Sequence, residues 1–418
     1  MRTEKNISVI FWTVVFLIFQ PFAESILPAA KYFDEILSVA VFGLYIYQTL
    51  KKGRLGKTEA KMMLWLVILL VTGLISNKTA GCGQPAAAVL TDMLSNLKLY
   101  LFFIPLIKMD LPKEEKLKLS DRLNKVIRWL ILIMFCCALV SQVVDIGMTD
   151  EVRYGIKSFK FLLPNPAGLN TYFYTFMVIF SATMIKNGKI RPKTVTYLAM
   201  AVFSWVLTLR SRAFAFALCY VLLFWFLMVY RKKNKAFKFK WYYAVPLLIV
   251  ALILGWPAFE EYFMLNTRQA RYVLLRGAIA IAGDYMPFGS GFATFGTAAS
   301  RTYYSPIYGR YGMANVWGIS VEDSYFITDQ YWCGILGQFG VLGLITMGAL
   351  IYMFYKIMIK RSAKDPAVLL ASVTLVFTSL LASVAAATYI QSSILASVGV
   401  VMALSEKTQK ENHDKTDI

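Results

Sequence analysis

Eight arginines offer the first chemistry in this sequence: Arg153, Arg210, Arg212, Arg268, Arg271, Arg276, Arg301 and Arg310. A guanidinium is planar and permanently charged, and its fork of N–H donors fits two oxygens of a phosphate or carboxylate at once. Two of them stand in LTLRSRAF, 207–214, in the middle of an apolar run from Thr194 to Tyr230. An unpaired guanidinium in hydrocarbon costs about 2.5 kcal/mol or more, so Arg210 and Arg212 need a partner or a hydrated position. Carboxylates that could work beside them are Glu322 and Asp323, in VEDSYFITDQYW before another apolar run. Either could accept a proton as a general base if burial and partners set its pKa. Asp323 or Ser324 opening a helix as its N-cap is the plainer alternative. Asp92 and Lys98 lie inside the apolar run 85–107, where ionisable groups are functional candidates by default. Asp92 is read as interfacial or functional, and Lys98 as paired within a bundle or meeting a substrate phosphate. Glu24, Asp34 and Glu35 border a short connection and read as solvated.

Those residues must be positioned by membrane helices. The chain is 58% hydrophobic and 16% charged, and its apolar stretches repeatedly reach the roughly 17–25 residues that cross a bilayer core. Twelve spans are expected, at 7–27, 33–50, 61–77, 85–107, 127–146, 168–185, 194–209, 212–230, 241–256, 331–355, 367–386 and 388–404. This predicts an all-α polytopic membrane protein, with residues 1–418 as one membrane domain. The first span has no small-residue cleavage site behind it and reads as retained, with a kink at Gln20-Pro21. The tail 405–418 reads as disordered.

Net charge +20 raises nucleic acid as a partner, but its distribution along the chain argues otherwise. Sorting alternate connections by side puts 31 lysines and arginines on one face and 12 on the other, with 11 and 13 acidic residues respectively. The whole surplus therefore falls on one face, which the positive-inside rule makes cytoplasmic, together with both termini. The charge is a topology signal with some contact to anionic lipid, and nucleic acid is excluded as a partner. The single histidine, His413, lies in the tail, so histidine chemistry is excluded from the membrane domain. Five cysteines without a CxxC spacing imply neither a disulfide framework nor a zinc site.

The opposite, outer face carries the two longer connections, 147–167 and 257–330, and long loops of this kind are usually functional. Arginine supplies 8 of the 12 basic residues there but 7 of 31 on the inner face. Lysine would serve topology equally well, so the bias points to recognition of phosphate or carboxylate. LTLRSR then reads as the tight outer turn of a helical hairpin, where hydration makes both arginines tolerable. In NTRQARYVLLRGAIAIAGDYMPFGSGFATFG, the residues Val273, Leu274, Leu275, Ala278 and Ile281 recur at helical spacing. Arg268, Arg271 and Arg276 share another side, which describes an amphipathic helix at the membrane surface. Pro287 stops it, and Gly289, Gly291 and Gly296 form a turn that permits close backbone approach. The spacing is not that of a dinucleotide fingerprint. The tyrosine-rich part from Arg301 to Trp317 suits stacking on sugar rings or an interfacial aromatic belt alike. Gly334, Gly337, Gly340 and Gly343 predict close helix packing.

Several of these stretches stand in a recognisable order. PNPAG (164–168) precedes a span, Thr208, Ser211 and Arg212 stand at the hairpin turn, and Arg276 lies in the large loop. MPFGSGFATFG (286–296), EDSYF and GQFGVLG (337–343) follow. Over about 150–345 the chain resembles the superfamily of bacterial O-antigen polymerases, O-antigen ligases and capsular or exopolysaccharide repeat-unit polymerases. The resemblance implies a metal- and cofactor-independent, inverting glycosyltransferase. It would use undecaprenyl-diphosphate-linked oligosaccharides at the outer face of the bacterial cytoplasmic membrane. It would work beside membrane lipids and with the flippase and chain-length regulator of the same pathway. It also implies that Arg212 and Arg276 bind the lipid diphosphate; Arg210, Arg268 or Arg271 are expected to assist them, and Lys98 to meet one of the phosphates. Asp323, with Glu322, occupies the place of the ligases' histidine base, which favours a polymerase over a ligase. A lipid-linked oligosaccharide flippase is the rival of another class.

Overall fold

The computed structural model describes residues 2–53, 55–231 and 268–407, with the isolated positions 249, 256 and 260. The chain is mostly helical. Helices α1 (Arg2–Ile26), α2 (Phe33–Lys52), α3 (Lys57–Ala80), α4 (Ala86–Leu106) and α5 (Lys113–Val143) come first. They are followed by α6 (Pro166–Thr183), α7 (Thr194–Val206) and α8 (Ser211–Arg231). Within the large loop lie α9 (Ala270–Asp284), the short α10 (Ala298–Thr302) and α11 (Ile307–Arg310); after it come α12 (Tyr331–Ser362), α13 (Pro366–Ala382) and α14 (Ser392–Leu404). A helix lies at eleven of the twelve predicted spans; 241–256 and 408–418 fall outside the described residues, apart from positions 249 and 256.

Five of the described helices, α1, α3, α4, α5 and α12, are long and apolar enough to cross a membrane. The apolar helices α7, α8, α13 and α14 have apolar segments of 13–17 residues, about 20–26 Å at 1.5 Å per residue. Large apolar side chains such as Val9, Trp12, Leu64, Trp129 and Trp225 stand exposed on the outer helices. Water would penalise such faces and lipid accommodates them.

The helix ends follow local chemistry. Asn165 caps α6 by accepting from the Gly168 N–H at 2.8 Å, with Pro166 at the first helical position, so PNPAG is a helix-start signal in its own right. Asp365 caps α13 by accepting from the Ala367 N–H at 2.8 Å. Lys51 and Lys52 close α2 before Gly53, whose φ is +62°, as the dipole and the left-handed cap favour. Helices α6, α13 and α14 form the buried centre, with α14 receiving α1 and α4 against it.

The all-helical expectation needs one amendment. Residues 147–167 contain an antiparallel hairpin, β1 (Thr149–Arg153) and β2 (Ile156–Phe159), and a second small pair, β3 (Ile185–Lys186) and β4 (Lys189–Ile190), joins α6 to α7. The first hairpin is fastened to the α7–α8 turn by the Phe159 N–H donating to the Leu207 carbonyl at 2.8 Å.

Candidate functional site

The turn between α7 and α8 is four residues, 207–210, as the run from Thr194 to Tyr230 required. Trp205 closes it from below: its indole N–H donates to Asn170, whose amide donates to the Tyr174 hydroxyl at 2.8 Å. Arg210 and Arg212 leave this turn half-buried and in different directions of contact. Arg210 pairs with Glu151 at 3.0 Å, and Arg153 pairs with the same carboxylate oxygen at 2.9 Å. The Arg210 Nε is buried without a partner. Burial and the neighbouring Arg153 depress its guanidinium below the ordinary value. Arg212 donates from Nη1 to the Ala385 carbonyl at 3.0 Å.

Across from this turn, Arg271 at the start of α9 pairs with Asp329 at 2.8 Å. Burial pushes the Asp329 carboxyl above the usual carboxylate range, while the charges of Arg271 and Arg212 pull it back. Arg212 thus acts on Asp329 on one side and on Arg210 on the other. Arg212 thereby links two groups, Arg153 and Arg210 with Asp150 and Glu151, and Arg271 with the partly buried Asp329, four guanidinium groups to three carboxyl groups in all. Such a place can hold an anion and accept a proton.

Not every predicted residue joins this cluster. Arg276 is exposed, with its guanidinium carbon 5.9 Å from the Tyr272 ring centre; it is five residues beyond Arg271, about 140° around the helix. The expectation that Arg271 and Arg276 share a side is therefore corrected by the helix itself. Arg268 and Arg301 are exposed, and Arg310 caps the end of α3 by donating to the carbonyls of Ala80 and Gly81 at 2.8 and 2.9 Å. Glu322 is exposed and Asp323 half-buried. Asp323 caps no helix, since α12 begins only at Tyr331; its N–H donates to the Ser320 hydroxyl at 3.1 Å.

Of the two readings of Lys98, the structure shows the one in which it is paired within the bundle. It is buried, with Nζ 2.5 Å from Asp34 and 2.7 Å from Glu35. Asp34 and Glu35 are buried too, where solvated residues were expected, and Gln20 donates to Asp34 at 2.9 Å. The apolar surroundings of 85–107 demanded a partner for Lys98, and two carboxylates from α2 supply it, which occupies the charge that a phosphate would need.

The glycine-rich stretch after α9 does what its sequence suggested, with an unexpected counterpart. Helix α12 breaks at Gly340, which has φ +62° and ψ −157°. Into that break fits 287–291: the N–H groups of Ser290 and Gly291 donate to the Gly337 and Gln338 carbonyls at 2.9 and 2.7 Å, and Leu342 donates to the Pro287 carbonyl at 3.2 Å. A Cβ on Gly289 would meet the backbone of Gly337 and Gln338, and one on Gly340 that of Phe288. Asp92 holds the same loop from α4, accepting from the Ala293 N–H and the Gln338 side-chain amide, each at 2.7 Å. Asn77 on α3 adds a reciprocal pair with the Phe292 backbone, both bonds 2.9 Å. Asp92 is thus a staple between α4, α12 and the loop. Both donors meet the same Asp92 oxygen, so Asp92→Leu, which leaves them with no acceptor, is expected to cost about 1–3 kcal/mol. Thermal unfolding in detergent checks this; a variant that melts with the wild type would show that the staple carries no weight.

Asp329 and Asp150–Glu151 were missed by reading the sequence. Asp329 sits in the quoted stretch VEDSYFITDQYW, but Glu322 and Asp323 form the more conspicuous pair there. A signal existed: Asp329 is the acidic residue nearest the apolar run that starts at Tyr331, hence the one most subject to burial. Comparison with family models, curated proteins and solved structures finds no match to this chain.

Proposed function

We propose that the chain is a membrane glycosyltransferase that polymerises undecaprenyl-diphosphate-linked oligosaccharide repeat units, with twelve spans, both termini cytoplasmic and the arginine-rich end facing outward. The observation that carries this reading is the cluster beside the hairpin turn in which Arg271 and Arg212 act on the partly buried Asp329, while the neighbouring Arg210 pairs with Glu151. Its chemistry matches a reaction with an anionic leaving group and a hydroxyl nucleophile. The acceptor hydroxyl gives its proton to Asp329, its oxygen attacks the anomeric carbon, and the bond from that carbon to the diphosphate breaks. The configuration inverts, and undecaprenyl diphosphate leaves with the bonding electron pair. Arg212, with Arg210 and Arg271, meets the charge that builds on the leaving oxygen; preorganised donors at a partly dehydrated site are strongest in that role. Arg276 and Arg268 stand exposed on the same loop and would guide the anionic lipid toward the site. Membrane lipids, a flippase and a chain-length regulator are the proposed partners.

Arg212→Ala in proteoliposomes supplied with a lipid-linked repeat unit should lose about 10²-fold or more in the rate of ladder formation, and Arg212→Lys should recover only part because the bidentate fork is gone. Arg276→Ala should lose less. A wild-type chain that yields no ladder from its own repeat unit would end the polymerase reading. A single added block on a different acceptor would favour a ligase, and glycan moved across the bilayer without a new bond would favour a flippase.

A further inference from the structure

Between Ala314 and Tyr331 the loop folds back on itself and displays two aromatic rings. The Phe326 N–H donates to the Gly318 carbonyl at 2.9 Å, and Ile319 and Ile327 are fully buried beneath. The Tyr304 hydroxyl donates to the Ile319 carbonyl at 2.8 Å. Gly318 has φ +84°, and a Cβ there would strike the Phe326 ring, so the turn requires glycine. On this fixed base Trp317 is 72% and Tyr325 74% exposed, with Phe326 edge-on against Trp317 at 5.0 Å between centroids. Of the tyrosines that the sequence offered for stacking, Tyr308 is buried with its hydroxyl against Ser300 and the Gly296 N–H, Tyr304 is half-buried and Tyr303 is exposed.

Exposed tryptophan and tyrosine on a membrane protein serve either a lipid interface or the apolar faces of a ligand. Charge separates the two. Residues 316–330 contain Glu322, Asp323 and Asp329 and no lysine or arginine, which disfavours an anionic headgroup layer. Carboxylates beside aromatic faces suit a sugar, whose hydroxyls need acceptors and whose C–H face needs a flat apolar surface. The Asp323 Oδ1 is buried without a partner, and Glu322 is exposed. The Asp329 N–H donates to the Phe326 carbonyl at 3.0 Å, so one turn of chain connects the rings to the proposed base.

We propose that the turn 316–330 is the acceptor-sugar subsite, a shelf on which Trp317 and Tyr325 stack a neutral or amino sugar while Glu322 and Asp323 take its hydroxyls. This rests on the glycosyltransferase reading and deepens it. A uronic or sialic acid is the wrong class for the shelf, because the Glu322 and Asp323 carboxylates would repel it. The attacking hydroxyl of the bound sugar lies toward Asp329.

The test uses the full chain in nanodiscs of phosphatidylethanolamine and phosphatidylglycerol, overlaid on an array of immobilised neutral, amino and acidic glycans. Binding should be confined to neutral or amino sugars, fall about tenfold or more in Trp317→Ala and in Tyr325→Ala, and largely persist in Trp317→Phe. In Val321→Cys, the introduced thiol should react rapidly with a water-soluble maleimide. No binding to the array, preference for acidic glycans, or binding indifferent to both alanine variants would overturn the proposal. So would a slow thiol, which would seat the turn in the membrane. If array binding depends on Trp317 but no ladder forms from a lipid-linked repeat unit, the shelf stands and the polymerase reading fails. Ladders with Trp317-independent binding give the reverse.

Discussion

Asp329→Asn is expected to lower ladder formation by roughly 10²–10⁴-fold, the usual worth of a positioned general base. The amide keeps the shape and can still accept from Arg271, which lies 2.8 Å from the carboxylate, so a loss would reflect proton transfer rather than collapse of the loop. The pH profile supplies the second readout. Burial raises the Asp329 pKa against the pull of Arg271 and Arg212, and in the proposed role of general base it would work only when ionised. Activity should therefore fall as pH drops through that raised value, at a higher pH than an ordinary aspartate near 3.9 would give. Arg271→Gln removes a charge that lowers the pKa, so its acid limb should move to still higher pH. An Asp329→Asn variant as active as the wild type, or one with a larger loss at Asp323 than at Asp329, would return the base to the Glu322–Asp323 pair.

Lys98→Met should cost the protein about 3–5 kcal/mol of stability, because breaking a buried ion pair strands the remaining charge. Here two carboxylates are stranded, Asp34 and Glu35, both buried on α2 and both within 2.7 Å of Nζ. The expected observation is a large drop in detergent melting temperature and in the amount of folded protein. Adding Asp34→Asn and Glu35→Gln to Lys98→Met removes the stranded charges and should restore most of the loss. A Lys98→Met chain that melts normally but has lost activity would instead place Lys98 against a substrate phosphate.

Helix positions were legible because apolar run length is a direct consequence of bilayer and core packing. The hairpin turn at 207–210 was legible for the same reason: a run of that length with two arginines at its centre leaves nowhere else for them. Single-residue roles were less legible. Arg271 and Arg276 look equivalent in a row of letters, yet a five-residue offset separates their directions on α9. Lys98 and Asp34 are 64 residues apart, and neither run length nor spacing encodes that pairing. Asp329 was overshadowed by a louder acidic pair because burial, which distinguishes them, depends on where α12 begins. The hairpin β1–β2 has four- and five-residue strands, too short for alternation to announce them.

The break at Gly340, filled by the backbone of 287–291, bears on how this protein could be re-engineered or could diverge. A long loop that merely covered a bundle could be exchanged between chains as a cassette. This one completes a transmembrane-length helix with its own amides and is clasped by Asn77 and Asp92 from two others. A transplanted loop would therefore have to travel with those two side chains and with the glycines of 337–343. Specificity changes should instead accumulate in 314–330, downstream of the insert, where the backbone is free of that obligation.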